Sequence, residues 1–380
     1  MFKDCVATLN IGSTDLTLTV GERSVNGAFS FRAEHKINYF SYDTGTFVDV
    51  KELEVKIANL FKSLIESSDV AKISTVYVGV PGEFSKVVSK NFKLTFGKPK
   101  KITRADVEYL FETAYSDDDV EFELVNRSAV YFVLDNYKTH EPVGKTASSI
   151  SARIFYGLAN NYFLEIIGGI LSRVGINNLK YVLQDYANCK YLFTLAERES
   201  CRLLIDVDYS TTSVSIACGN GLLFSKSFAL GGGVIPAYIA NQVNCGFHVA
   251  EAITKKLNLG LKDRNSALYV VEDGELGEHA FSRDICNKYA KLALDQICEN
   301  LDKAVSSCTL KVPSDIEVAF TGDGICSIKG AVEYVCNKLG VFPKVVAPKV
   351  PCYNKPKDTP RLALLNTALD CVNDKLFFTK

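Results

Sequence analysis

Apolar residues along this chain fall into short period-two blocks separated by stretches of helical spacing, and two of the blocks share one design. Residues 6–11 and 16–20 are apolar-rich runs joined by the polar turn Gly12-Ser13-Thr14-Asp15. The design recurs at 203–216, where Leu203, Leu204 and Ile205 lead into Asp208-Tyr209-Ser210-Thr211, and Val214 and Ile216 then alternate with Ser213 and Ser215. Alternation around a tight polar turn predicts a hairpin in each place. Each hairpin carries an amide or an acid before its turn, Asn10 or Asp206, and hydroxyls within it. That pairing suggests a duplicated nucleotide-binding architecture.

The rest of the pattern supplies the other elements. A third strand is predicted around 28–37. Leu53, Ile57, Leu60, Phe61, Leu64 and Ile65 then mark one face of a helix over 50–67, and 73–80 reads as a buried strand. From 82 to 160 the texture changes to short alternating strands, with a basic turn at 98–101, an acidic turn at 117–119 and later strands near 121–134 and 147–156. Thr103 and Asp106 start a helix there that continues through Val107, Leu110, Phe111 and Ala114. This stretch reads as an inserted α+β module. A helix over 161–174 and a strand over 177–184 return to the first architecture. Beyond the second hairpin unit (201–230) come helices over 234–258, a mixed polar segment (259–283) and a long helix over 284–307. That last helix carries Ile285, Tyr289, Leu292, Leu294, Ile297 and Leu301. A strand at 316–320, the turn Thr321-Gly322-Asp323-Gly324, a helix to about 339, a strand at 341–350 and a helix at 362–372 complete the series.

Composition narrows the function classes. With 380 residues, 47% apolar and 23% charged, the chain is long enough for several subdomains around sizeable cores. A formal charge of −1 gives no general basic field, so nucleic acid is not an expected partner. No run of about 18 apolar residues and no signal-peptide pattern is present, which places the expected location in the cytoplasm. The twelve cysteines include no C-x-x-C pair, and His35, His140, His248 and His279 are scattered, so no structural zinc site is expected. The cysteines read instead as small hydrophobes of a reducing compartment.

Several motifs, in order, resemble those of the actin-like ATPase superfamily, and within it the FtsA family of bacterial cell-division proteins. Leu9-Asn10-Ile11-Gly12-Ser13-Thr14 is similar to that family's first phosphate loop, and the run from Leu204 to Ser213 to its second. Gly231-Gly232-Gly233 is similar to a further turn, Ala250-Glu251 with Lys255 to a helix that touches ribose and base, and Thr321-Gly322-Asp323-Gly324 to an adenosine loop. Glu141-Pro142-Val143-Gly144 and the flanks around Val80-Pro81-Gly82 and Lys101–Val107 resemble the family's insert. The resemblance implies an α/β fold of actin-like (ribonuclease H-like) duplicated type with an inserted α+β subdomain. Its implied divisions are a first subdomain of 1–80, 161–200 and 359–380, the insert at 81–160, a second subdomain of 201–233 and 313–358, and a small helical subdomain at 234–312. ATP with magnesium is the implied cofactor. Its implied contacts are Asn10, Gly12, Ser13, Thr14, Asp206, Ser210, Thr211, Thr212, Gly231, Gly232, Glu251, Lys255, Gly322 and Gly324.

The departures from that pattern matter as much. Glycines let backbone N–H groups close around phosphate at positive φ. Asp208, Tyr209 and Ser210 stand where the second loop would have them, which predicts roughly 1 kcal/mol of strain per position. Asp208 also sets a carboxylate against a polyanion, unless Asp206 and Asp208 together hold a magnesium ion. Asn10 and Ser213 replace two aspartates, and Gln184-Asp185 replace a Glu-Pro pair. The expected protein therefore has weakened or absent ATP binding, no catalytic residues and at most a weak ATPase activity. Its implied work is that of an adaptor in division, self-associating through the insert and binding an FtsZ-like protein. Lys255, Lys256, Lys262 and Arg264 are the candidate contacts for an acidic tail. The alternatives are a pilus-assembly-type or other actin-like scaffold, and a small-molecule kinase. The final residues, Leu376-Phe377-Phe378-Thr379-Lys380, are too short to hold a membrane surface, so any recruitment to the division site is expected to go through partners.

Overall fold

The computed structural model describes residues 5–24, 29–67, 73, 75–116, 119–261, 267–273, 277–310, 315–372, 374 and 376–378. β1 (Val6–Ile11), β2 (Asp15–Arg23) and β3 (Phe29–Asn38) form an antiparallel meander. A small hairpin, β4 (Tyr42–Asp43) and β5 (Thr46–Phe47), leads to α1 (Val50–Ser67). Asp49 Oδ1 caps that helix, accepting from the Lys51 and Glu52 N–H groups at 2.8 and 3.0 Å. Leu53, Ile57, Leu60, Phe61 and Leu64 are buried as their spacing predicts, whereas Ile65 is 77% exposed. One residue past Leu64 the helix surface has turned by about 100°, which carries Ile65 off the apolar stripe. β6 (Val76–Val80) then runs parallel to β1, so β1 is flanked on both edges and buried throughout.

After Pro81 the chain leaves this sheet for β7 (Ser85–Lys101), α2 (Arg104–Ala114), β8 (Phe122–Leu134), β9 (Tyr137–Thr139) and β10 (Thr146–Asn160). The strands form a separate sheet in the order β7–β10–β8–β9, and its three main strands are long (17, 13 and 15 residues) where the sequence suggested short ones. Thr103 and Asp106 make a reciprocal capping box at the start of α2. Val107, Leu110 and Phe111 then share a core with Ile150, Ile154 and Tyr156. α3 (Asn161–Arg173), β11 (Leu179–Leu183), α4 (Gln184–Leu192) and α5 (Leu195–Arg198) follow. β11 adds in parallel to β6 and completes the order β11–β6–β1–β2–β3.

β12 (Arg202–Val207), β13 (Thr212–Cys218) and β14 (Gly221–Phe228) repeat the opening meander. Next come α6 (Val234–Val243) and α7 (Phe247–Thr254), split at Asn244, whose φ of 52° ends the first helix in the left-handed region. The segment read as mixed and polar contains a hairpin, β15 (Leu268–Asp273) with β16 (Gly277–Ser282). In α8 (Arg283–Ser306) the buried stripe is rotated from the predicted one. Small residues Cys286, Ala290 and Ala293 face inward with Leu294, Ile297 and Leu301, while Ile285 and Leu292 are 47% and 41% exposed. Small side chains on the inner face let neighbouring helices approach closely, and the larger ones are displaced outward.

β17 (Glu317–Thr321) runs parallel to β12 and gives the order β14–β13–β12–β17, the plan of the first sheet again. α9 (Asp323–Cys326), α10 (Ala331–Leu339) and α11 (Thr359–Cys371) complete the chain's helices among the described residues. The strand expected at 341–350 is absent. Only single bridges form, from Val345 to Phe320 and from Val350 to Tyr353. Pro343, Pro348 and Pro351 lack the N–H donors that a ladder needs.

α11 packs across α4, β1 and β2, and the residues after it turn back into the core. Phe377 and Phe378 are 2% and 9% exposed, with the Phe377 ring 5.2 Å from that of Tyr186. The Arg127 N–H donates to the Phe377 carbonyl at 2.9 Å, which ties this segment to β8. Phe377→Ala is therefore expected to lower unfolding free energy by about 3 kcal/mol, measurable as a lower urea midpoint. A midpoint shift worth less than about 1 kcal/mol would show that this packing is dispensable.

Candidate functional site: an acidic cleft between two hairpin turns

The duplicated meanders face each other through equivalent turns. The Gly12 N–H donates to the Asp15 carbonyl at 2.8 Å, and the Asp208 N–H to the Thr211 carbonyl at 2.9 Å. Ile11 pairs with Leu16 and Val207 with Thr212, so Asn10 and Asp206 occupy matching positions two residues before each turn. Between the turns lies a cleft of about 1140 Å³.

Of the sequence-derived nucleotide contacts, Asn10, Gly12, Thr14, Asp206, Thr211, Gly232, Glu251, Lys255, Gly322 and Gly324 line this cleft. Ser13, Ser210, Thr212 and Gly231 do not. The Thr212 hydroxyl points away and donates to the Leu230 carbonyl at 2.7 Å. Ser210 Oγ is enclosed without a hydrogen-bond partner among the described residues. Ser13 Oγ lies near the Asp208 carboxylate without reaching hydrogen-bonding geometry. Lys255 faces the cleft, while Lys256 turns away to donate to the Val270 carbonyl at 2.6 Å. Lys262 and Arg264 lie outside the described residues.

The strain expected in the second turn is not there. None of Asp208, Tyr209 and Ser210 has a positive φ, so the turn closes in ordinary L-residue conformations. It does so because its carbonyls have been taken up elsewhere. The Gly232 N–H donates to the Asp208 carbonyl at 2.8 Å, and the Gly233 N–H to the Tyr209 carbonyl at 2.7 Å. Two glycines make that contact sterically possible. A Cβ on Gly232 would fall 2.1 Å from the Gly324 carbonyl oxygen, and Gly322, at φ +86°, has the Val207 carbonyl oxygen 2.2 Å from where its Cβ would be. These glycines serve a close backbone junction of three turns.

Tyr209 fills part of the space so framed. Its ring edge rests on Gly233, and its hydroxyl donates to Glu251 Oε1 at 3.0 Å. Partial burial, reinforced by the Glu251 carboxylate, pushes the Tyr209 phenol up to about 12. Glu251, the residue matched to a ribose contact, is thus engaged by the protein's own side chain.

The cleft floor is acidic. Asp185 is buried and receives the Ser225 hydroxyl at 2.6 Å, and Asp206 receives Asn188 Nδ2 at 2.9 Å. Asp206 and Asp208 reach cleft water at one edge, with the rest of each side chain packed in protein. Desolvation, then the neighbouring Asp208 and Asp185 charges, pushes Asp206 up to about 8. Desolvation, with Asp15 and Asp323 adding repulsion, pushes Asp208 up to about 6. Desolvation raises Asp185 as well. Lys36 neutralises Asp15 at 2.8 Å, and Arg361 is paired with Glu34 and Asp358.

The second turn is not a glycine loop that could close its N–H groups on phosphate. The turn presents a carboxylate and committed carbonyls where phosphate oxygens need N–H donors, and a tyrosine occupies the neighbouring space. Nor do three His, Cys, Asp or Glu side chains converge to hold a metal among the described residues. Sequence motifs did not single out Asn188, Asp15 or Asp323. The usable signal was α4 itself, where Asp185 and Asn188 lie among buried neighbours and leave the helix no polar face.

Two matching lobes closing on one cleft define the actin-like ATPase fold. Comparison with solved structures agrees. The chain is similar to a structure of the PilM-PilN type IV pilus biogenesis complex (14% identity, covering 96% of this chain and 98% of that chain, TM-score 0.61). It is also similar to MreB5 of Spiroplasma citri bound to ADP (11% identity, covering 98% of this chain and 100% of that chain, TM-score 0.56). A third similar structure is the ethanolamine utilization protein EutJ from Carboxydothermus hydrogenoformans (13% identity, covering 95% of this chain and 88% of that chain, TM-score 0.53). No protein-family model matches the sequence, and no curated protein does. Among the described residues, no helix is long and apolar enough to cross a membrane.

Proposed function

We propose that this protein is an actin-like scaffold that acts through protein contacts, with ATP binding weakened or lost. The supporting observation is the second turn, where Asp208 and Tyr209 put negative charge and bulk between the lobes. The four divisions expected from the sequence serve this reading, with self-association through 81–160 and partner docking on the small helical subdomain at 234–312. In the division version the partner is an FtsZ-like protein and Lys255 meets its acidic tail. A pilus-type adaptor is the second reading, favoured by the full-length fold likeness to a PilM-PilN complex. Co-purification with an FtsZ-like protein or with a PilN-like protein separates the two.

Titration calorimetry with ATP tests the shared core of both readings. The expected result is a Kd weaker than about 1 mM, roughly 4 kcal/mol of binding or less. Micromolar binding would overturn it. Magnesium held by Asp206 and Asp208 with several waters would show as tighter binding with the ion than with a chelator. Equal affinities would remove those two residues from the metal role.

A further inference from the structure

We infer that the open edge of β7 at Asn91–Thr95 is a docking site for an extended acidic segment of a partner protein, which adds to the inserted sheet as a further strand. β7 is the outer strand of the order β7–β10–β8–β9 and runs for 17 residues. The direction of its backbone groups follows from β10. The Asp135 N–H donates to the Ser149 carbonyl at 3.1 Å, so Ser149 turns its backbone groups towards β8. These groups alternate along a strand, so Ile150, Ala152 and Ile154 turn theirs towards Leu94, Phe92 and Lys90 of β7. Asn91, Lys93 and Thr95 therefore aim their N–H and C=O groups outward. Ser85 lies on the same side, and its N–H is taken by the Gly82 carbonyl. Those of Asn91, Lys93 and Thr95 have no such partner among the described residues. β14 packs against β7 without forming a ladder, and Asn91, Lys93 and Thr95 stay exposed.

The two faces of that edge set the chemistry of the occupant. β7 carries six lysines and no acid, in a chain of formal charge −1. Lys86 and Lys100 are paired with Asp119 and Asp106, and Lys90 donates to Ser116. Lys93, Lys98 and Lys101 are left without an ion pair among the described residues, and Lys93 only adds to the field around Asp135. On the opposite face Phe92, Leu94 and Phe96 pack on the α2 core and remain partly exposed. An added strand sets alternate side chains beside each of these faces. The edge therefore fits a segment in which acidic residues alternate with apolar ones.

Other occupants fit less well. Pairing β7 with β7 of a second copy would set Lys93 against the same group of lysines, and like charges across a ladder repel. Any self-association through the insert then uses another of its surfaces. An anionic lipid surface would meet the lysines but leave the outward N–H and C=O groups without backbone partners. Edges kept from pairing are interrupted by bulges and prolines as well as guarded by lysines. Here the ladder with β10 is regular from Ser85 to Thr95, and its irregularity, opposite Ser148, falls beyond that stretch together with Gly97 and Pro99.

The test follows amide hydrogen exchange in the full chain by NMR. In the free protein the Phe92 and Leu94 amides should exchange slowly and those of Asn91, Lys93 and Thr95 fast. A synthetic peptide alternating glutamate with valine should slow the second set. Fluorescence anisotropy with the same peptide should show binding at least about tenfold weaker to Lys93→Glu than to the wild type. A peptide with lysine in place of glutamate should not bind. Lys93→Pro removes one outward N–H without touching the β10 ladder, so it should weaken binding while Phe92 and Leu94 stay protected. The proposal fails if about 1 mM peptide leaves the Asn91, Lys93 and Thr95 amides unchanged, or if Lys93→Glu binds as tightly as the wild type. Protection of those amides at high protein concentration without peptide would make the occupant a second copy. Slowing by phosphatidylglycerol vesicles and not by the peptide would overturn the proposal in favour of a lipid surface.

Discussion

Replacing Asp208 and Tyr209 together with glycine is expected to tighten ATP binding by at least about tenfold, or 1.4 kcal/mol. The two substitutions act on different obstacles. Glycine at 208 removes a carboxylate that stands between the lobes beside Asp206, Asp15 and Asp323. Glycine at 209 removes the ring resting on Gly233 and frees Glu251 from its 3.0 Å hydrogen bond. It also lets the turn adopt the positive φ that would aim its N–H groups into the cleft. Tyr209→Phe separates the contributions, because it keeps the ring but releases Glu251. If the phenylalanine variant matches the wild type while the double glycine variant binds, volume and charge are the barrier. If the double variant binds no better than the wild type by calorimetry, the second turn is not what limits nucleotide binding.

What the sequence revealed and what it hid divides along a physical line. Signals carried by neighbouring residues were legible. The α1 stripe, the Thr103–Asp106 capping box and the two hairpin turns all depend on spacing within a few positions. Asn10 and Asp206 sit beside those two turns, whereas Glu251 and Gly322, which line the same cleft, were reached only through the family resemblance. Features decided by distant partners were not legible. The inward stripe of α8 was set by where Cys286, Ala290 and Ala293 allowed close packing, and periodicity alone favoured the bulkier Ile285 and Leu292. The second turn avoids strain because Gly232 and Gly233 receive its carbonyls from another segment, a contact that turn chemistry could not announce. Substituted residues in a glycine loop therefore read as strain in the sequence and as a rebuilt junction in the structure.

The acidic floor should make the protein more stable in mild acid than above neutrality. Asp206, pushed up to about 8, and Asp208, pushed up to about 6, keep their protons in the folded state where an unfolded aspartate near 3.9 has already lost them. The native state thus binds more protons than the unfolded chain between about pH 4 and pH 8, and linkage makes stability fall as pH rises through that window. Cleft water touches both side chains, so the cost at pH 8 is roughly 1–3 kcal/mol rather than the full value of 1.4 kcal/mol per unit. Glu199 and Glu317, held low by Lys138 and Lys344, work in the opposite sense, but their contribution is lost only on acidification below the ordinary carboxylate range. Asp206→Asn isolates the effect, since an amide can still accept from Asn188 and cannot ionise. The variant should melt roughly 2–5 °C above the wild type at pH 8, with the gap closing towards pH 4.5. A variant that melts below the wild type at pH 8, or a gap that does not change with pH, would mean that Asp206 is stably charged in the fold. The cleft would then hold a compensating cation, and the case against phosphate binding there would have to be reversed.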